Sequence, residues 1–164
     1  MNQDREWKEM RFCPHFRGSV GQDERTGRRL MPCYSAAASL GILYGYRRLM
    51  AEPTDGELCA LFEEIERDKR WHFLMLGRLI LVLGVCPAPS VRLHLPTEPV
   101  DCTRDAQEKS LSRMLTECIR QESASIERFQ NVMGSTSDRV VRSFLVQLIG
   151  DEERHIKGLQ CFFS

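Results

Sequence analysis

Val141, Leu145, Leu148, Glu152, His155, Leu159 and Phe162 follow one another in alternating steps of four and three. That spacing places all seven on one stripe of an α-helix. The same period runs through three earlier stretches, and none sustains the period-two alternation of a strand or shows an internal repeat. The chain is therefore expected to be all-α.

Punctuation between the stretches sets the joints. The first helix is predicted from about Tyr34 to Ala51, after Pro32 and before Pro53. Thr54 and Glu57 match a capping box for the second, which runs to about Leu83, where Gly84 and Pro87 stop it. Residues 85–102 hold Pro87, Pro89, Pro96 and Pro99 and read as an extended crossover. A third helix starts near Thr103 and is closed by Gly134 after Met133. Ser135 or Thr136 caps a fourth that reaches about Phe162. Tight joints make helices one and two, and three and four, antiparallel neighbours. The expected fold is an antiparallel four-helix bundle over residues 33–164, built from two long helical hairpins joined by the Pro-rich crossover. Residues 1–32 are set apart as a basic N-terminal arm, within a first fifty residues that carry nine basic and five acidic groups.

Composition narrows the function classes. With 23 Lys+Arg against 23 Asp+Glu, the chain lacks the positive field of a nucleic-acid coat or polybasic membrane binder. The longest apolar run, Phe73 to Cys86, is interrupted by Arg78 and is too short to span a bilayer. Seven cysteines without a Cys-x-x-Cys pair read as scattered thiols. Residues 1–11 lack the apolar core of a secretory signal, so a cytoplasmic location is expected. No nucleophile triad, phosphate loop or dinucleotide fingerprint is present.

The seams carry the chemistry. Helix three gives Leu111, Leu115, Cys118, Glu122, Ile126, Phe129 and Met133 by the same rule. Helix two gives Leu58, Leu61 or Phe62, Ile65, Asp68 or Lys69, His72, Met75 or Leu76, Leu79 and Leu83. Glu122, Glu152, His155 and His72 thus point inward, and buried carboxylates need partners.

Glu152-Glu153-Arg154-His155, opposite Glu122, resembles the ferritin-like superfamily, the rubrerythrin and ferritin type of di-metal bundle. Residues 65–84 resemble that family's second helix, with its acidic pair, inward His, apolar run and terminal Gly. The resemblance covers about 130 residues, counted on the sequence and matched to the family's helix pattern. It implies a centre of four Glu and two His around iron or manganese. His72, Glu122, Glu152 and His155 then stand as candidate metal ligands. Two family positions differ: Lys69 stands three residues before His72 where a bridging Glu is implied, and the helix-one Glu falls near Ala37, ahead of Tyr44.

Charge then discriminates. Glu122, Glu152 and Lys69 sum to minus one, so two divalent cations would leave plus three in a low-dielectric interior, which is unfavourable. One divalent metal is neutral only if Lys69 loses its proton or points to solvent. The simplest arrangement puts Lys69 in place of the metals, donating to both carboxylates, with a protonated His supplying the remaining charge. In an alternative register Asp68 faces inward as a ligand with His72, Glu122, Glu152 and His155.

Tyr44 and Cys118 are expected beside the site, and Tyr46 near it. Cys13 and His15 could clip a metal with Cys33. Arg25, Arg28 and Arg29 read as a solvated loop, or as a contact for Glu63, Glu64 and Glu66 of a second copy. The expected function is structural or interaction-based, in a metal-free bundle that forms a homodimer. The alternative is a rubrerythrin-like oxidoreductase that uses iron or manganese on peroxide or oxygen.

Overall fold

The computed structural model describes residues 23–50, 56–87 and 104–163, with side chains for all of these except 46–50 and 104–110. Four helices make up nearly all of it: α1 (Glu24–Met50), α2 (Gly56–Val82), α3 (Arg104–Ser135) and α4 (Arg139–Gln160), the last running into a 3-10 turn, Cys161–Phe163. The fold is an all-α four-helix bundle, with α1 packed along α2 and α3 along α4.

The start of α1 corrects the sequence reading. The helix begins at Glu24, ten residues before Tyr34, and continues through Pro32. Asp23 caps it: its carboxylate accepts from the backbone N–H of Thr26 at 3.1 Å and from the Thr26 hydroxyl. A proline inside a helix costs about 3 kcal/mol. The extra turns bury Leu30 and Cys33 beside Tyr34 and Ala37 in the apolar core, and each large apolar side chain buried returns about 1.5–3 kcal/mol. Burial therefore overrides the breaker. Arg25, Arg28 and Arg29 lie on this helix rather than on a loop.

Other boundaries follow local chemistry. Gly84, at φ 86°, lets α2 end in a paired closure: its N–H donates to the Leu81 carbonyl at 3.0 Å, and that of Val85 to the Ile80 carbonyl at 3.1 Å. A Cβ on Gly27 would meet Val85 Cγ2 at 2.8 Å and Leu83 Cβ at 3.2 Å, so the bare glycine admits the end of α2 against α1. Gly134 does not close α3, which extends to Ser135. The cap of α4 is Asp138 rather than Ser135 or Thr136, because its carboxylate reaches the N–H groups of Val140 at 2.8 Å and Val141 at 3.1 Å. Ser135 instead donates to the Val132 carbonyl. Thr54 of the expected capping box lies outside the described residues, as do Cys13, His15 and most of the crossover.

Two apolar clusters fill the bundle. One joins Leu30, Tyr34, Leu79, Leu83, Phe129, Phe144 and Leu148; the other joins Leu40, Tyr44, Phe62, Ile65, Leu115, Cys118 and Leu159. The first takes the start of α1 and α4 with the end of α2 and α3, so neighbouring helices are antiparallel. The chain leaving α2 must return to the opposite end to begin α3, which is the work of the long connection. Among the described residues no helix is long and apolar enough to cross a membrane, and Cys33 and Cys86 are free thiols.

Candidate functional site

Between the two apolar clusters lies a belt of buried charge. Lys69 from α2, Glu122 from α3, and Glu152 and His155 from α4 are each at most 1 % exposed. Lys69 Nζ donates to Glu122 Oε2 at 2.6 Å and to Glu152 Oε2. Tyr44 from α1 donates its hydroxyl to Glu122 Oε1 at 2.7 Å, and Cys118 sits beside the phenol. His155 Nδ1 lies 3.4 Å from Glu122 Oε2 and 3.3 Å from Glu152 Oε2.

A second layer crosses between α2 and α4. His155 Nε2 bonds Asp68 Oδ2 at 3.1 Å, and His72 Nε2 bonds Asp151 Oδ2 at 3.0 Å. Arg154 ties the two aspartates together, at 2.9 Å to Asp68 and 2.8 Å to Asp151. His72 Nδ1 lies 3.4 Å from Glu152 Oε1, outside hydrogen-bond geometry. Each helix thus supplies an Asp to the other helix's His.

Protonation follows from these contacts. Burial would lower Lys69, but Glu152 and Glu122 outweigh it and raise its pKa, so it stays an ammonium. Burial opposes charge on His155 too, yet hydrogen bonds to Asp68, Glu122 and Glu152 lift it to about 10. Burial opposes charge on His72 as well, and its hydrogen bond to Asp151 together with the negative charge of nearby Glu152 raises it. The carboxylates split. Burial pushes Glu122 up, only partly offset by Lys69, while Glu152 is held well below its usual range because Lys69, Glu122 and both imidazoles overcome its burial. Two adjacent carboxyls sharing one ammonium separate in this sense. Asp68 and Asp151 are lowered, their burial outweighed by the histidines and Arg154. Burial and Glu122 keep Tyr44 a phenol. With both imidazoles protonated, the four cations Lys69, His72, Arg154 and His155 match the four carboxylates Asp68, Glu122, Asp151 and Glu152, and the partly exposed Glu64 adds a fifth carboxylate 3.5 Å from Arg154 Nε.

The structure brings together six sequence-predicted residues: Lys69, Glu122, Glu152 and His155, with Tyr44 and Cys118 beside them. His72 is also buried, one layer away toward Asp151. Asp68 does not face inward as a ligand; it is partly exposed and serves His155 from the rim, which excludes the Asp68-inward register. The Tyr46 side chain lies outside the described ones. Glu66 is not free for a second copy, because it is buried and paired with Arg70. Sequence reasoning missed Asp151 and Arg154. The signal for Asp151 is the spacing that α2 and α4 share, an Asp, an inward charged residue, and a His three further on; Arg154 has no counterpart in it, since Trp71 holds that place on α2.

A metal of the implied kind can be tested against these donors. Ligand atoms of Glu122, Glu152 and His155 lie within 4.8 Å of one another. The Lys69 ammonium already bonds both carboxylates, however. On the α1 side, Ala36 and Ala37 border a gap beside Lys69 and Glu152 that is too tight for a water molecule and offers no further carboxylate. The residues present do not fit a di-metal centre. Comparison with family models, curated proteins and solved structures found no match to this chain.

Proposed function

We propose that this chain is a ferritin-like bundle in which a lysine-centred ionic cluster replaces the di-metal centre, and that its role is structural or interaction-based. One observation carries the reading: Lys69 Nζ is hydrogen-bonded to both Glu122 and Glu152 at a site closed to solvent. An ammonium there supplies the positive charge that a metal would bring, without open coordination positions for peroxide or oxygen. The cluster then works as a registry device, since its members come from all four helices.

Metal analysis of protein purified without chelator tests this. The expected result is substoichiometric iron and manganese, before and after loading, with Lys69→Glu gaining a divalent metal through its added carboxylate. Near-stoichiometric metal in the unaltered protein, lost on Glu152→Ala or His155→Ala, would falsify the metal-free reading. It would favour the second one, a metal-dependent oxidoreductase with a reduced ligand set, for which the closeness of Glu122, Glu152 and His155 speaks.

A further inference from the structure

A groove of about 310 Å³ opens between α1 and α3, and its Cys33 and Arg128 also border the tight gap beside Lys69 and Glu152. Arg29 from α1 and Arg128 from α3 both line it, with Pro32, Cys33, Asn131, Val132 and Ser135. No Asp or Glu lines it. Arg28 pairs with Glu24, and Arg120 with Glu117. In contrast, neither Arg29 nor Arg128 has a hydrogen bond or ion pair with any described residue.

The thiol at the floor supplies no counter-charge either: burial pushes Cys33 up to about 12, although Arg128 works against it. Two guanidiniums with no partner among the described residues, lining one concavity, focus a positive field inward. Guanidinium matches phosphate or carboxylate oxygens with paired N–H donors. Pro32, which is exposed, offers an apolar surface next to that charge, with the edge of the buried Val132 also lining the groove. The volume lies at the lower end of small-molecule sites.

We infer that this groove binds a small molecule carrying a phosphate or carboxylate head on an apolar body. The head sits between Arg29 and Arg128, and the body lies along Pro32 and Val132. Asn131 adds a side-chain amide. The inference does not rest on the metal-free reading: Arg128 also borders the tight gap beside Lys69 and Glu152, but neither arginine is ion-paired with those carboxylates.

The probes are phenyl phosphate, benzoate and the uncharged benzyl alcohol, titrated into the full chain by calorimetry and by NMR of the arginine Nε–H signals. One of the two anions is expected to bind saturably, the tighter of them identifying the head group. Benzyl alcohol binds at least about tenfold more weakly, because it lacks the charge-assisted bonds. Arg29→Gln with Arg128→Gln lowers the affinity about tenfold or more, and each single change lowers it less. Far-UV circular dichroism checks that these variants keep their helices. Changing Arg113 and Arg139 to Gln, exposed arginines outside the groove, leaves the affinity within about twofold, since distant exposed charges are screened. The inference is overturned if neither anion binds in the millimolar range, if the Arg29/Arg128 variant binds as tightly as the parent, or if the Arg113/Arg139 variant weakens binding equally.

Discussion

Lys69 concentrates the energetics at the residue scale. Its ammonium is the shared partner of two buried carboxylates, so removing it leaves their charge uncompensated. Lys69→Met is expected to cost about 3–5 kcal/mol at neutral pH, measured by urea unfolding. Replacing Glu122 and Glu152 by Leu in the same chain recovers most of that loss, because an apolar core of similar volume avoids the desolvation of the whole set. A loss under about 1 kcal/mol for Lys69→Met, typical of an exposed pair, would contradict the cluster.

His155 gives the pH dependence. Its folded pKa, about 10, lies above its ordinary 6.5, so its contribution is complete below about 6.5 and is lost as the pH rises through about 10. Asp68, Glu122, Glu152 and Lys69 all face it, and the three carboxylates set the sign. Unfolding free energy is expected to fall by a few kcal/mol between pH 7 and 10, and to fall less in His155→Gln. Equal slopes in the two proteins count against a protonated His155.

At the scale of elements, α1 shows local propensity yielding to packing. Pro32 is exposed within the helix and removes one backbone hydrogen bond. Pro32→Ala restores that donor and is expected to stabilise the bundle by about 1–3 kcal/mol in thermal or urea unfolding, while leaving the core untouched. Destabilisation would mean that the ring contributes packing beyond its helix penalty. The three later helices were legible because their seams repeat without a breaker: Leu58 to Leu83, Leu115 to Phe129 and Val141 to Leu159 are buried much as their spacing implies. Deviations fall where helices lean on a neighbour. Ser125 and Val132 are buried in α3, where the heptad rule pointed to Ile126 and Met133, and Phe144 joins the core from α4.

At the scale of the whole molecule, the charged belt couples the hairpins. The first hairpin carries the buried Lys69 and the second carries Glu122 and Glu152, so neither half balances its interior charge alone. Residues 1–87 and 88–164 produced separately are therefore expected to lack fixed tertiary structure by near-UV circular dichroism, and to regain it on mixing. A native-like near-UV spectrum for either half alone would show that the apolar clusters suffice.

The sequence by itself determined the helical period, the inward direction of His72, Glu122, Glu152 and His155, and the mismatch with two metals that follows once Lys69 faces inward. These depend on spacing and composition, which one chain carries in full. Only the tertiary structure decided that α1 persists through Pro32, that Asp68 stands at the rim, and that Asp151 and Arg154 join the charged set across α2 and α4. Those outcomes depend on distances between helices far apart in the chain. At those contacts burial and Coulomb energy outweigh what each segment prefers on its own.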